Sequence, residues 1–112
     1  MIVFDLDEAV RRCYGELRMF QKMAAYLFDE ADPLIERMRT ALNDSNATDL
    51  ASTAHRLKGT VVYLGAPSAA DATQRVEQIG MSGDLTGAGT AIDDLAIEIG
   101  RLKEAMAPHR AV

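Results

Sequence analysis

His55, Lys58 and Gly59 stand together in a segment that otherwise has the pattern of an amphipathic helix. His55 follows Ala54, a residue of the apolar face, and therefore points about 100° away from that face, toward its edge. Lys58 and Gly59 come three and four residues later, so they lie one helical turn further along the same side. An imidazole can act as a nucleophile when a neighbour holds its second nitrogen, and an ammonium group can bind an anion.

Gly59 is the unexpected residue of this group. A glycine within a helix costs about 1 kcal/mol relative to alanine, and position 59 is not on the apolar face. Glycine leaves one side of the imidazole uncovered, so that another protein surface can approach. A residue that disfavours the helix, in a segment whose other residues all fit one, indicates a functional reason for its presence. The surface around it is predicted to carry mostly small side chains, among them Ala51, Ser52 and Val62.

Glu77 is expected to face His55 across a pair of antiparallel helices. Gly65 and Ala66 mark the turn between these helices. His55 precedes the turn by about as many residues as Glu77 follows it, so both lie at nearly the same level. The Glu77 carboxylate could accept a proton from one imidazole nitrogen, which would fix the ring and leave the other nitrogen as the nucleophile.

The composition limits the classes of function. The 112 residues suit one domain, which we expect to span 1–112 with a core at about 4–106 and a frayed end at 107–112. The net charge of −5 argues against nucleic acid or an anionic membrane as partner. The single cysteine, Cys13, excludes an internal disulfide framework and a cysteine-rich zinc site. No phosphate-binding loop motif and no long apolar stretch occurs, so we expect no nucleotide site and a cytoplasmic location.

Apolar residues recur at spacings of three and four along the chain, which predicts helices throughout. Asp32 and Pro33 are predicted to start or kink a helical segment. The residues from Gly80 to Gly83 are predicted to break another one. Long amphipathic segments with short connections predict an all-α fold, an antiparallel four-helix bundle with a short N-terminal helix. The predicted segments, in chain order, are 5–15, 16–30, 32–42, 46–64, 67–80 and 88–106.

Three motifs of the sequence resemble the histidine phosphotransfer (HPt) domain family. They are Ala54-His55-Arg56-Leu57-Lys58-Gly59, then Leu64-Gly65-Ala66, then Val76-Glu77. The resemblance extends from about residue 4 to residue 106. Two departures are mild: Pro67 follows the second motif directly, and Thr60 stands where serine or alanine is frequent.

The resemblance implies a phosphorelay intermediate. His55 would accept a phosphoryl group from the aspartyl-phosphate of a response-regulator receiver domain, within a pathway that a hybrid sensor histidine kinase feeds, and pass it to another receiver. Lys58 would offset phosphoryl charge, Glu77 would orient the ring, and Gly59 would admit the receiver. Such a chain is a phosphocarrier and not an enzyme. It needs no cofactor or metal of its own, since the magnesium belongs to the receiver. We expect a monomer with no nucleic-acid or membrane partner.

Two further sets of residues allow alternative interpretations. Arg56 and Arg75 could add positive potential near His55, or could simply be solvated. Met19, Met23 and Tyr26 form a second apolar stripe, which could pack under the first helix or serve as a docking patch. The alternative function is a helical adaptor that binds receiver or kinase domains without carrying phosphate. The intact histidine, lysine and glycine motif argues against that alternative.

Overall fold

The computed structural model describes Arg11 and residues 17–107 of the chain. This part of the protein is all-α and contains no strand, as predicted. The predicted short N-terminal helix, apart from Arg11, and the chain end beyond residue 107 lie outside the described residues. The helices are α1 (Leu17–Asn43), α2 (Ala47–Tyr63), α3 (Pro67–Ser82) and α4 (Ala88–Met106).

The four helices form a ring in chain order. α1 packs against α2, α2 against α3, α3 against α4, and α4 closes the ring against α1. Their short connections place successive helices antiparallel, which confirms the predicted four-helix bundle. Among these helices, none combines the length and apolar character that a membrane crossing would need. We call the line along which two neighbouring helices meet a seam.

The core is built from the predicted apolar faces. Each helix turns residues at spacings of three and four toward the bundle axis, and burial of these side chains is the main stabilising contribution. The buried apolar side chains of α2 and α4 are at most 1% exposed, except Ala91 at 3%. The buried residues of these two helices and the turn after α2 include Leu50, Ala54, Leu57, Val61, Leu64, Ala88, Ile92, Leu95, Ile99, Leu102 and Met106.

Helix α1 is longer than the sequence pattern indicated. Of the two predicted effects of Asp32 and Pro33, the start of a new helix is wrong, because one helix includes Pro33. The apolar face runs through this point without interruption: Phe20, Ala31 and Met38 are all fully buried. A proline inside a helix costs about 3 kcal/mol, and burial on both sides of Pro33 outweighs that cost.

The predicted break at the C-terminal end of α3 occurs at Gly83 and not at Gly80. The helix ends at Ser82, with Gly83 as its cap, so Gly80 lies inside the helix and does not break it. Gly80 is buried against α2. A Cβ atom at this position would lie 2.7 Å from the backbone nitrogen of Ala51 and 2.9 Å from the carbonyl oxygen of Ala47. The missing side chain therefore lets the backbones of α2 and α3 come into contact.

Both ends of α2 form as the sequence predicts. The Asn46 side chain accepts a hydrogen bond from the backbone N–H of Asp49 at 3.0 Å, which caps the first turn. At the other end, Gly65 adopts a left-handed conformation with φ of 63°. The backbone N–H groups of Gly65 and Ala66 donate to the carbonyls of Val62 and Val61. This is the hydrogen-bond pattern of a glycine-terminated helix, and it fixes the level at which α3 begins.

Polar contacts cross every seam of the ring. Exposed ion pairs of this kind contribute about 0–1 kcal/mol each, so they select the neighbours of each helix more than they stabilise the bundle. The pairs outside the α2/α3 seam are Arg37–Asp49 at 2.7 Å, Arg39–Asp93 at 2.8 Å, Lys103–Asp32 at 2.9 Å and Arg75–Asp94 at 3.5 Å.

Candidate functional site

His55 and Glu77 meet across the α2/α3 seam. Nδ1 of His55 lies 2.6 Å from Oε2 of Glu77. The imidazole is 71% exposed, whereas the carboxylate is only 12% exposed. An ionised carboxylate only accepts hydrogen bonds, so Nδ1 carries the proton in this contact. In the neutral ring Nε2 is then unprotonated and free to act as a nucleophile. The structure thus contains the contact that the levels of the two residues predicted.

Lys58 contacts the same carboxylate. Its Nζ lies 2.8 Å from Oε1 of Glu77, so the two oxygens of Glu77 accept one hydrogen bond each from Lys58 and His55. The Lys58 hydrogen bond is the main cause that lowers the pKa of Glu77; burial opposes it, and the His55 hydrogen bond adds to it. Glu77 is therefore held as an anion against the ring.

The contact between Lys58 and Glu77 was not predicted from the sequence, which assigned Lys58 only to phosphoryl oxygens. The signal was nevertheless available. Lys58 lies one helical turn after His55 on the same side of α2, so a residue that faces one of them across the seam is within reach of the other.

Gly59 leaves open space next to the imidazole. It is exposed, and a Cβ atom added to it would meet nothing within 4 Å. Packing within the described part of the chain therefore gives no reason for a glycine here. Three small residues were predicted to lie on the surface around Gly59. Ser52 is exposed and Val62 is 37% exposed, but Ala51 is half-buried beneath α3.

Arg56 turns away from Glu77 toward helix α1. Its Nε donates a hydrogen bond to the hydroxyl of Tyr26 at 3.3 Å, across the α1/α2 seam. Of the other two residues in the predicted stripe, Met19 is 42% exposed and Met23 packs partly buried against the core. The structure thus links one residue of the stripe to the immediate neighbour of His55. The first helix, which could cover the stripe, lies outside the described residues.

Arg75 is not part of this group. It is only two residues before Glu77, but two residues correspond to about 200° around a helix. Its Nη1 lies 3.5 Å from Oδ2 of Asp94, on the α3/α4 seam. The structure therefore assigns Arg75 to the neighbouring seam and not to the surroundings of His55.

The arrangement around His55 suits nucleophilic chemistry at Nε2. Within the described range, no three His, Cys, Asp or Glu side chains are grouped so that they could hold a metal ion. The exposed ring presents Nε2 to solvent while the Glu77 carboxylate contacts Nδ1. When Nε2 forms a bond to an electrophile the ring becomes cationic, and a carboxylate already in place stabilises that charge without reorganisation.

Comparison with known proteins identifies the family and the fold. The family model described as Hpt domain matches residues 22–105. Among solved structures, the chain is similar to the crystal structure of histidine-containing phosphotransfer protein B (HptB) from Pseudomonas aeruginosa PAO1, with a TM-score of 0.86. The two share 18% sequence identity over 96% of this chain and 94% of that chain, so this similarity is one of fold. No curated protein matched the sequence.

Proposed function

Because this chain belongs to the Hpt domain family, we propose that it carries phosphoryl groups in a phosphorelay on His55. The observation that supports His55 as the acceptor is its 2.6 Å contact from Nδ1 to Glu77, on a ring that is otherwise largely exposed. This contact selects the tautomer whose Nε2 can attack an electrophile. The chain is then a phosphocarrier, whose partners are receiver domains and a hybrid sensor histidine kinase.

In the proposed transfer, the lone pair of Nε2 attacks the phosphorus of an aspartyl-phosphate on a receiver. A nitrogen–phosphorus bond forms while the bond from phosphorus to the aspartate oxygen breaks, and the aspartate leaves as a carboxylate with that electron pair. The imidazole of His55 keeps its Nδ1 proton and becomes cationic, next to the anion of Glu77. The reverse sequence of bond changes delivers the group to a second receiver. We assign the magnesium ion to the receiver, where it offsets charge on the phosphoryl oxygens.

The neighbours of His55 have separate roles in this proposal. Lys58 holds Glu77 in place and anionic through the 2.8 Å hydrogen bond. As a second role, its ammonium group offsets charge on the phosphoryl oxygens once His55 is phosphorylated. The open space at Gly59 gives the receiver room to bring its aspartate to Nε2.

The test is direct labelling of the protein. We incubate it with a panel of purified receiver domains that have been phosphorylated by acetyl phosphate, and we measure its intact mass. We expect the mass to increase by one phosphoryl group, and acid treatment to remove that group, because phosphohistidine is acid-labile. His55→Gln should abolish the label, whereas His109→Gln, which removes the second histidine of the chain, should retain it.

Two outcomes would contradict the proposal. Label that persists in His55→Gln would place the phosphoryl group elsewhere. Stable binding of unphosphorylated receivers, with no label from any phosphorylated receiver, would instead support the adaptor alternative.

A further inference from the structure

The guanidinium of Arg56 is held beside the phosphoacceptor and still has free hydrogen-bond donors. Arg56 is the residue after His55, and its Nε donates to the Tyr26 hydroxyl at 3.3 Å. A guanidinium has five N–H groups, and in the described part of the chain this contact leaves those of both Nη atoms available. These groups can bind a carboxylate through two parallel hydrogen bonds.

Among the described residues, Arg56 is also the positive charge next to His55 that no carboxylate offsets. The charge of Lys58 is offset by Glu77, because the two groups lie 2.8 Å apart. Within the described residues, no Asp or Glu carboxylate lies within 4.0 Å of the Arg56 guanidinium. Four other arginines of the bundle each lie within this distance of a carboxylate: Arg37, Arg39, Arg75 and Arg101.

The Arg56 side chain points toward α1 and therefore lies apart from Nε2 of His55, where the proposed transfer takes place. Glu77 contacts the imidazole from the α3 side, whereas Tyr26 holds Arg56 on the α1 side. A receiver that brings its aspartate to Nε2 of His55 must also cover this α1 flank. The magnesium ion of such a receiver requires oxygen ligands, which are mainly carboxylates. A guanidinium on the flank of His55 therefore faces an acidic rim when the two proteins meet.

We infer that Arg56 binds a carboxylate at the rim of the receiver's magnesium site, and that Tyr26 is the positioning residue that holds the guanidinium beside His55. This inference rests on the proposed function. The neutral hydroxyl of Tyr26 can position Arg56 without reducing its charge. A side chain that is already oriented loses less conformational entropy on binding, so its contact contributes more to affinity.

The experiment measures phosphoryl transfer from a phosphorylated receiver as a function of receiver concentration and ionic strength. At low salt we expect Arg56→Gln to raise KM about two- to fivefold, the effect of losing one exposed ion pair. The rate at saturating receiver should stay unchanged, and the difference in KM should shrink as salt screens the charge. Tyr26→Phe should give a KM between those of the wild type and Arg56→Gln, with the salt dependence of the wild type.

Arg101→Gln is the matched control. Arg101 is 55% exposed and its nearest carboxylate, Glu98 at 3.1 Å, lies on the same helix, α4. This substitution removes the same charge from a different seam, so KM for the receiver should not change. An equal rise of KM in Arg101→Gln and Arg56→Gln would show that only net charge matters, which would overturn the inference.

Phosphoramidate separates docking from chemistry, since it can phosphorylate His55 without any receiver. If the rate with phosphoramidate falls in Arg56→Gln as much as the rate with the receiver, Arg56 acts on the ring and the inference is wrong. If the wild type is labelled by receivers but KM is the same in Arg56→Gln, the inference is wrong and the proposed function stands. If no receiver labels the wild type, the proposed function fails and the inference fails with it.

Discussion

Replacing the Glu77 carboxylate by an amide should reverse the tautomer of His55. The carboxylate accepts two hydrogen bonds, one from Nδ1 of His55 and one from Nζ of Lys58. In Glu77→Gln the amide oxygen must face Lys58, because an ammonium group only donates hydrogen bonds. The amide NH₂ then faces Nδ1, which must become the acceptor. The proton moves to Nε2, and the nitrogen that should attack phosphorus loses its lone pair.

The size of the tautomer shift follows from the hydrogen bonds of His55 that change in Glu77→Gln. A hydrogen bond to a charged group contributes about 1.5–3 kcal/mol and a neutral one about 0.5–1.5 kcal/mol. Because the ring is 71% exposed, the lower end of each range applies. The reactive tautomer loses about 1.5 kcal/mol and the unreactive one gains about 0.5 kcal/mol, about 2 kcal/mol in total. With the two tautomers otherwise equal in energy, their ratio changes about 30-fold, from about 13:1 in favour of the reactive tautomer to about 1:2 against it. The reactive fraction, and with it the rate of phosphorylation, therefore falls about threefold.

Two measurements test this prediction. Long-range proton–nitrogen correlation spectra report which imidazole nitrogen carries the proton, and should show the change from Nδ1 to Nε2. The rate of His55 phosphorylation by phosphoramidate should fall about threefold at the same pH. Asp94→Asn is the matched control, since it makes the same chemical change in a carboxylate that pairs with Arg75 on another seam. A Glu77→Gln protein that keeps the wild-type rate, with Nδ1 still protonated, would refute the argument.

Three further predictions concern the glycines and Lys58. Gly80→Ala should lower the free energy of unfolding, measured by urea denaturation, by about 1–3 kcal/mol, because its Cβ would lie 2.7 Å from the backbone of α2. Gly100→Ala is the control: its Cβ meets nothing within 4 Å, so it should not destabilise the protein. Gly59→Gln should keep the fold, raise stability by up to about 1 kcal/mol and block transfer from a receiver, so undiminished transfer would contradict the access argument. Lys58→Gln removes the main cause that lowers the pKa of Glu77. A carboxyl whose pKa is lowered on folding adds stability above its unfolded pKa and loses it as pH falls through its folded pKa. The carboxyl carbon signal of Glu77 should therefore titrate at higher pH in Lys58→Gln, and an unchanged midpoint would show that Lys58 does not hold the anion.

Local patterns predicted the parts of the structure that depend on neighbours along the chain. The end of α2 at Tyr63, with Leu64 as its cap and glycine termination at Gly65, follows from helix periodicity and turn chemistry. The level of Glu77 relative to His55 follows from the helix rise, once the turn between the two helices is placed. These two results were sufficient to predict the polar contact at the centre of the site.

The parts that sequence reasoning missed depend on contacts between distant segments. Gly80 was interpreted as a helix breaker, because the sequence does not show that the backbone of α2 lies against it. Pro33 was interpreted as a helix start or a kink because its local cost is visible in the sequence, whereas the burial that lets one helix continue through it is not. One of the two interpretations left open for Arg75 placed it near His55, whereas the helix period directs it to Asp94 on the other side of α3. Tertiary packing determines the conformation at Gly80 and Pro33, and rotation around the helix determines which seam Arg75 faces.

The open space at Gly59 has a consequence for how this protein responds to selection. Its Cβ position is empty, so almost any other residue there increases helix propensity without a clash. A library screened only for heat or protease resistance should therefore replace Gly59 early, and its most resistant members should lose phosphotransfer. Gly100 is just as open, but its replacement should cost no activity. Comparing how fast the two glycines disappear under stability selection, with and without a concurrent requirement for phosphotransfer, would measure how strongly the partner surface constrains position 59.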